Sequence, residues 1–208
     1  PAASGKSTTA RRVAEHLGFS FLNTGAMYRA SALAALQAGI PLDDGPAVAA
    51  LLESHTFGFT PENGVTLDGR DVTGLIAAPG IGEAASIISA ESRVRAFLVK
   101  LQRLFSRDRN TVAEGRDMGT VVFPDAFLKV YVVADAPVRA RRRLKELKSG
   151  DMGETVRHVL RRDRRDRFRQ DSPLRVPPGA FWLDGTQMTL EEQVEAVLTR
   201  YAMLETRS

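Results

Sequence analysis

The stretch Ser4-Gly5-Lys6-Ser7-Thr8, with the helix it opens, constrains this chain more than any other feature. A loop of the form G-x-x-x-x-G-K-[ST] wraps backbone N–H groups around phosphate oxygens, sets Lys on the β- and γ-phosphates and offers its hydroxyl to Mg²⁺. On that pattern Ala3, Ser4, Gly5, Lys6, Ser7 and Thr8 are candidate ATP-binding residues, and Ser7 is a candidate metal ligand. The pattern's first glycine would sit one residue before Pro1, with a buried strand ahead of it, so the sequence is expected to begin inside the loop. Gly-Lys-Ser alone also suits a plain helix start. The next residues favour the loop: Ala10, Val13, Ala14 and Leu17 recur at helical spacing, Gly18 stops the helix, and Phe19 to Leu22 reads as a strand.

The 208 residues fit one domain, or a core with small inserts, with room for a substantial core. With 43% hydrophobic and 26% charged residues the chain reads as soluble and globular. It has no apolar run long enough to span a bilayer and no signal-peptide pattern, and a cytoplasmic location is expected. The absence of cysteine excludes disulfides and thiolate metal sites. Net charge is +4, with the excess concentrated between Arg139 and Arg169. Such a cluster suits nucleic acid or a cleft for a small polyphosphate.

Along the chain, Thr24 to about Ala38 reads as an Ala-rich helix and Pro46 to Leu52 as a shorter one. Thr56 to Thr60, Val65 to Leu67 and Val72, separated by Asn63-Gly64 and Asp68-Gly69, read as short antiparallel strands of an inserted subdomain. Val94, Phe97, Leu98, Leu101, Leu104 and Phe105 mark an amphipathic helix over 91–107. Strands are expected at Thr111 to Ala113, Phe127 to Val133 and Phe181 to Leu183. Arg-rich helices are expected from Asp135 to about Leu147 and from Glu154 to about Arg169, with a terminal helix striped by Leu190, Val194, Val197, Leu198 and Tyr201. Alternating strands and helices predict an α/β core with a parallel sheet flanked by helices.

Ligands of open α/β sheets bind at the carboxyl ends of strands. The phosphate loop, Thr24 to Arg29, Glu114 to Asp117 and the helix carrying Arg162, Arg165, Asp166 and Arg169 all fall at or near such ends. Glu114 can hold Mg²⁺ through water, or it can be a cap or surface acid. The four helix residues are spaced i, i+3, i+4, i+7 and share one face, apart from the apolar stripe Val156, Val159, Leu160. Arginine there suits bidentate phosphate binding; a solvated face laced with Asp-Arg pairs is the bland counterpart. Arg139, Arg142 and Arg143 are read as such a solvated face. His16, His55 and His158 are assigned no chemistry, and Tyr28 and Trp182 a core or rim role.

Thr24-Gly-Ala-Met-Tyr-Arg29, Ala84-Ala85-Ser86, Ser92-Arg-Val-Arg95, Glu114-Gly-Arg-Asp-Met-Gly-Thr-Val-Val-Phe-Pro-Asp125 and Arg162-Asp-Arg-Arg-Asp-Arg-Phe-Arg169 together resemble the bacterial-type cytidylate kinases, of the nucleoside monophosphate kinase group. The resemblance covers essentially the whole chain. It implies a P-loop NTPase core (1–50, 91–147 and 163–208), a small β-containing insert binding the monophosphate (about 51–90) and a short helical lid (about 148–162). It implies that Arg29, Arg116 and Arg169 hold the phosphate of CMP or dCMP, with Lys6, Arg116 and Arg162 as catalytic groups around the transferring phosphoryl. Asp166 would meet the ribose hydroxyls, and Ser86, Arg95 and Asp117 would read cytosine. Thr24, also on the CMP side, stands where many members have Ser, and Glu114 where many have Asp; the hydroxyl and the carboxylate are kept. The implied reaction is ATP + CMP to ADP + CDP with Mg²⁺, by a monomer that uses neither nucleic acid nor membrane. A P-loop kinase of another small acceptor, and a basic nucleic-acid-binding module built on Arg139 to Arg169, are the alternatives.

Overall fold

The computed structural model describes residues 1–60, 63–147 and 150–206. Pro61 and Glu62 of the expected insert, and Lys148 and Ser149 of the expected lid, lie outside the described residues. In chain order the elements are α1 (Lys6–Leu17), β1 (Ser20–Asn23), α2 (Thr24–Gln37), α3 (Gly45–Glu53), β2 (Phe57–Phe59), β3 (Val65–Leu67) and β4 (Arg70–Asp71). There follow α4 (Ile81–Ile88), α5 (Ser92–Ser106), β5 (Thr111–Glu114), a π-helical turn at Met118–Val122 and β6 (Val130–Val133). The chain closes with α6 (Ala136–Leu147), α7 (Met152–Phe168), β7 (Phe181–Asp184) and α8 (Leu190–Glu205). The described residues form two compact units, Pro1–Ser20 with Arg116–Ser208, and Phe21–Gly115.

In the first unit α1 is preceded by its N-cap residue Gly5, whose φ of 93° is a left-handed conformation that glycine adopts readily. The N-cap residue, a glycine, has no side chain to cap this start. Thr9, Val13 and Ala14 bury one face, and α1 packs on α8. α8 is opened by a capping box between Thr189 and Glu192. Strands β6 and β7 pair in parallel, Val130 opposite Phe181 through Val133 opposite Asp184. The expected strand from Phe127 starts three residues later, because Phe127 lies at the surface against the Tyr201 ring, 5.4 Å away. Trp182, expected in the core or at a rim, is 56% exposed, with one face on Tyr131.

Helices α6 and α7 pack on each other. α7 begins two residues before the expected Glu154, because the Asp151 carboxylate accepts from the Glu154 N–H and caps it. Of the expected apolar stripe only Val159 is fully buried; Leu160 is 48% exposed, and Thr155 takes part in the buried face instead.

In the second unit α2 packs on α4 and α3 on α5. Ala30, Ala32 and Ala35 are completely buried on α2, where small side chains let neighbouring backbones approach. The insert strands are antiparallel as expected, with Phe57 opposite Leu67 and Thr66 opposite Asp71. Asp68 and Gly69 both have positive φ, the geometry a tight two-residue hairpin requires. Helix α4 departs from the expected β-rich insert: Ile81, Ala84, Ala85 and Ile88 recur at helical spacing and are buried along one face. The stripe on α5 holds through Val94 and Leu98, after which Gln102 is buried and Leu104 exposed. β1 pairs with β5.

Candidate functional site

The phosphate loop lies in the first unit. Ala3 and Gly5 have positive φ, a winding that turns successive backbone groups in different directions. Lys6 is half-buried and its ammonium donates to Pro1 O at 3.4 Å, so it folds back over the loop. Ser7 and Thr8 sit in the first turn of α1, at the helix end whose dipole favours an anion.

The same unit holds Arg116, Asp117, Arg162, Asp166 and Arg169. Arg116 Nε donates to Asp166 Oδ2 at 2.6 Å; the Asp166 side chain is buried and that of Arg116 half-buried. Burial pushes the Asp166 carboxyl up, but the charge and hydrogen bond of Arg116, with the charges of Arg162 and Arg169, outweigh it and hold the carboxyl below its ordinary value. Arg169 Nη2 lies 3.9 Å from Asp117 Oδ1, and both side chains are 5% exposed. Asp117 itself is fixed through its carbonyl, which accepts from the N–H groups of Thr120, Val121 and Val122 in the π-helical turn. In that turn a β-carbon at Gly119 would lie 2.8 Å from the Pro177 ring, so the signature's glycine is needed for close approach.

The expected common face on α7 divides. Asp166 is buried and Arg162 half-buried, whereas Arg165 faces solvent. α7 ends at Phe168 and Arg169 is extended, at φ −62° and ψ 147°, with Nε donating to Ser172 O at 2.8 Å. Helical spacing alone does not bring Arg169 inward; the helix's end does.

The second unit holds Thr24, Arg29, Ser86, Arg95 and Glu114. Thr24 Oγ1 donates to Glu114 O at 2.8 Å and joins the start of α2 to the end of β5. Glu114 is 7% exposed, which removes the surface-acid reading. A β-carbon at Gly25 would lie 3.6 Å from Arg29 Nη1 and 3.9 Å from Glu114 Oε1, so both groups stand close to the start of α2. Arg95 is buried on α5; its Nη1 donates to Ser89 O at 3.2 Å and its guanidinium lies 5.7 Å from the centre of the Tyr28 ring. Ser86 Oγ is buried with no hydrogen-bond partner among the described residues, as suits a group awaiting a ligand. Ser89 and Tyr28 therefore belong to this group; Tyr28 lies within the Thr24–Arg29 motif, whereas no local pattern in the sequence marks Ser89.

The structure corrects two expectations. Arg139 and Arg142 are not on a solvated face: Arg139 is 5% exposed, and both donate to backbone carbonyls. Only Arg143 fits that expectation, paired with Glu146 in solvent. His55, for which the sequence suggests no carboxylate partner, has Nδ1 2.6 Å from Asp68 Oδ2 across the hairpin.

A family profile described as cytidylate kinase matches residues 1–203. The chain belongs to the cytidylate kinase family. It is 45% identical over 202 residues to a cytidylate kinase of Bordetella bronchiseptica, covering 95% of this chain and 90% of the relative. It is 43% identical over 208 residues to one of Burkholderia pseudomallei, covering 98% and 91%. A third, from Pelodictyon phaeoclathratiforme, is 45% identical over 208 residues, covering 95% and 90%. The family is a P-loop NTPase family of nucleoside monophosphate kinases, so the expected fold class and the transfer of a phosphoryl group from ATP to CMP both stand. Neither another acceptor nor a nucleic-acid module has support. Among the described residues no helix is long and apolar enough to cross a membrane.

Proposed function

We propose that this cytidylate kinase phosphorylates CMP and dCMP with ATP and Mg²⁺, as a cytoplasmic monomer, using the residues set out below. The observation that carries the assignment of roles is the cluster Arg116–Asp166 and Arg169–Asp117, charged groups of which Arg116 is half-buried and the other three buried, carried by the signature segment and the end of α7. Buried guanidiniums of this kind exchange a carboxylate partner for a phosphate at small reorganisation cost.

The CMP phosphate is the group we assign to Arg116, Arg169 and Arg29, and Thr24 is assigned to CMP binding as well. Ser86, Arg95 and Asp117 read cytosine; Asp166 accepts from the ribose hydroxyl. Lys6 and the N–H groups of Ala3 to Thr8 hold the ATP phosphates. Phosphoryl transfer passes through a loose transition state with charge spread over oxygens, so these groups act by position and charge, and no side chain need be a strong base. Arg162 and Arg116 neutralise the charge that develops during transfer.

The groups we assign to a divalent ion, the Ser7 hydroxyl of the first unit and the Glu114 carboxylate of the second, are hard oxygen donors, and among the described residues no three carboxylates, histidines or cysteines gather into a metal cage. Oxygen donors of this kind suit Mg²⁺, which keeps several waters and leans on substrate phosphates. When bound, it supplies charge neutralisation at the phosphate oxygens. Residues 1–50, 91–147 and 163–208 serve as core, 51–90 as the monophosphate-binding insert and 148–162 as the lid.

The test is ADP production from ATP against CMP, dCMP, UMP and AMP, with and without Mg²⁺, together with the mass of the protein in solution. Turnover confined to CMP and dCMP and dependent on Mg²⁺ supports the reading. Equal turnover of UMP or AMP removes it.

A further inference from the structure

The phosphate loop is held from behind by two helices. Ala2 is 6% exposed, and both its backbone groups end on side chains: its N–H donates to Asp163 Oδ1 at 2.9 Å, and its carbonyl accepts from Arg139 Nη1 at 3.0 Å. Arg139 Nη1 also donates to Asp163 Oδ2, which closes a ring of Ala2, Arg139 and Asp163. Arg139 Nε meanwhile donates to Ala134 O at 2.9 Å, which fixes the guanidinium against the end of β6. Three residues along α6, Arg142 Nη1 donates to Ser4 O at 3.0 Å and Nη2 to Gly185 O at 2.7 Å, past the end of β7. Ser4 is fully buried, so its carbonyl has no water to turn to.

A loop that aims N–H groups at an anion must turn carbonyls the other way, and a buried carbonyl without a donor costs a lost hydrogen bond. Arginine answers this better than lysine, because one planar fork can reach two carbonyls at once. We propose that Arg139 and Arg142 of α6, with Asp163 of α7, are positioning residues for ATP: they hold the Ala2 and Ser4 peptides so that the loop's remaining N–H groups stay aimed at the triphosphate. Asp163 directly precedes Arg164 and follows Arg162, so the contact that fixes the loop also fixes the turn of α7 that carries Arg162. The inference rests on ATP occupying this loop, as proposed above.

The experiment compares the parent with Arg142→Gln, Arg142→Lys and Asp163→Asn. It reads the affinity for ADP by calorimetry, KM for ATP and for CMP separately, and Tm. Weakening one hydrogen bond to a charged group should raise KM for ATP and Kd for ADP by about tenfold or more in Arg142→Gln and Asp163→Asn. KM for CMP should stay near the parent value. Arg142→Lys, with one ammonium for two carbonyls, should fall between Gln and the parent. A role in stability alone would lower Tm and leave both KM values where they were, and that result overturns the inference. So does a parallel rise of both KM values. If Asp163→Asn does not fold, the two Arg142 variants decide. A parent that neither binds ADP nor phosphorylates CMP would instead defeat the functional reading. A parent that does both, with variants that retain its ADP affinity, defeats only the positioning role.

Discussion

Helices α6 and α7 carry similar arginine-rich sequences, yet their buried guanidiniums end on different partners. On α6, Arg142 spans two backbone carbonyls, and Arg139 reaches two more besides Asp163. Around α7 carboxylates enter as well: Asp166 of the helix accepts from Arg116, and Arg169, just past its end, donates to the Ser172 carbonyl and lies 3.9 Å from the Asp117 carboxylate. A guanidinium on a carbonyl fixes the chain and has no rival charge to give up. One on a carboxylate is an ion pair that an arriving phosphate can replace, and it leaves the carboxylate for another donor. Composition is thus shared while the tasks we propose differ: α6 for shaping the loop, the α7 region for meeting substrate.

The sharpest way to break this comparison is Arg162→Ala beside Arg161→Ala. Arg162 is half-buried and near Asp166, whereas Arg161 is exposed. Steady-state kcat should fall by on the order of 10³ for Arg162→Ala if it acts as an arginine finger does, and change little for Arg161→Ala. Equal losses would mean that burial on α7 does not select the functional arginines.

Next in size is Asp117→Asn. Cytosine donates from its N4 amine where uracil presents a carbonyl, so a carboxylate favours cytosine and an amide can turn to suit uracil. A matched contact of about 1 to 3 kcal/mol corresponds to roughly 5- to 150-fold in the ratio of kcat/KM for CMP and UMP. That ratio should narrow or invert in Asp117→Asn, while Arg95→Ala should weaken both substrates with less change in their ratio. An unchanged ratio would take Asp117 out of base reading.

Asp166 supplies a pH test. Its folded carboxyl is held below the ordinary value of 3.8, so its ion pair stabilises the fold above that pH and the contribution is lost as pH falls through the lowered folded value. Asp166→Asn should therefore flatten the acid limb of stability against pH and cost on the order of 1–3 kcal/mol at neutral pH, read by urea titration at several pH values. The smallest effect is expected for Arg143→Ala on the outer face of α6, about 0.5 kcal/mol or less, because its pair with Glu146 is in solvent. A loss as large as that for Arg142→Gln would erase the distinction between the two faces of α6.

Much of the candidate site is legible in short stretches of sequence. A local pattern marks Lys6, Ser7 and the loop, and a signature segment whose turn needs Gly119 marks Arg116 and Asp117. The hairpin at Asp68-Gly69 is legible because positive φ at two successive residues selects such residues. Helical spacing is a weaker guide on α7, since it groups Arg165 with Arg162 although only one is turned inward. It misleads on α6, where three arginines look alike and only the packing tells them apart.

The sequence by itself determined the features whose causes lie within a few residues: the phosphate loop and its helix, the alternation of strands and helices, the hairpin turns and the family membership. Tertiary structure alone decided which charges are buried and on what they end. Ala2 meets Asp163 across 161 residues and Ser4 meets Arg142 across 138, separations at which spacing carries no information. A periodic face says which side chains point the same way; whether that side meets water, a carbonyl or a carboxylate depends on the element packed against it.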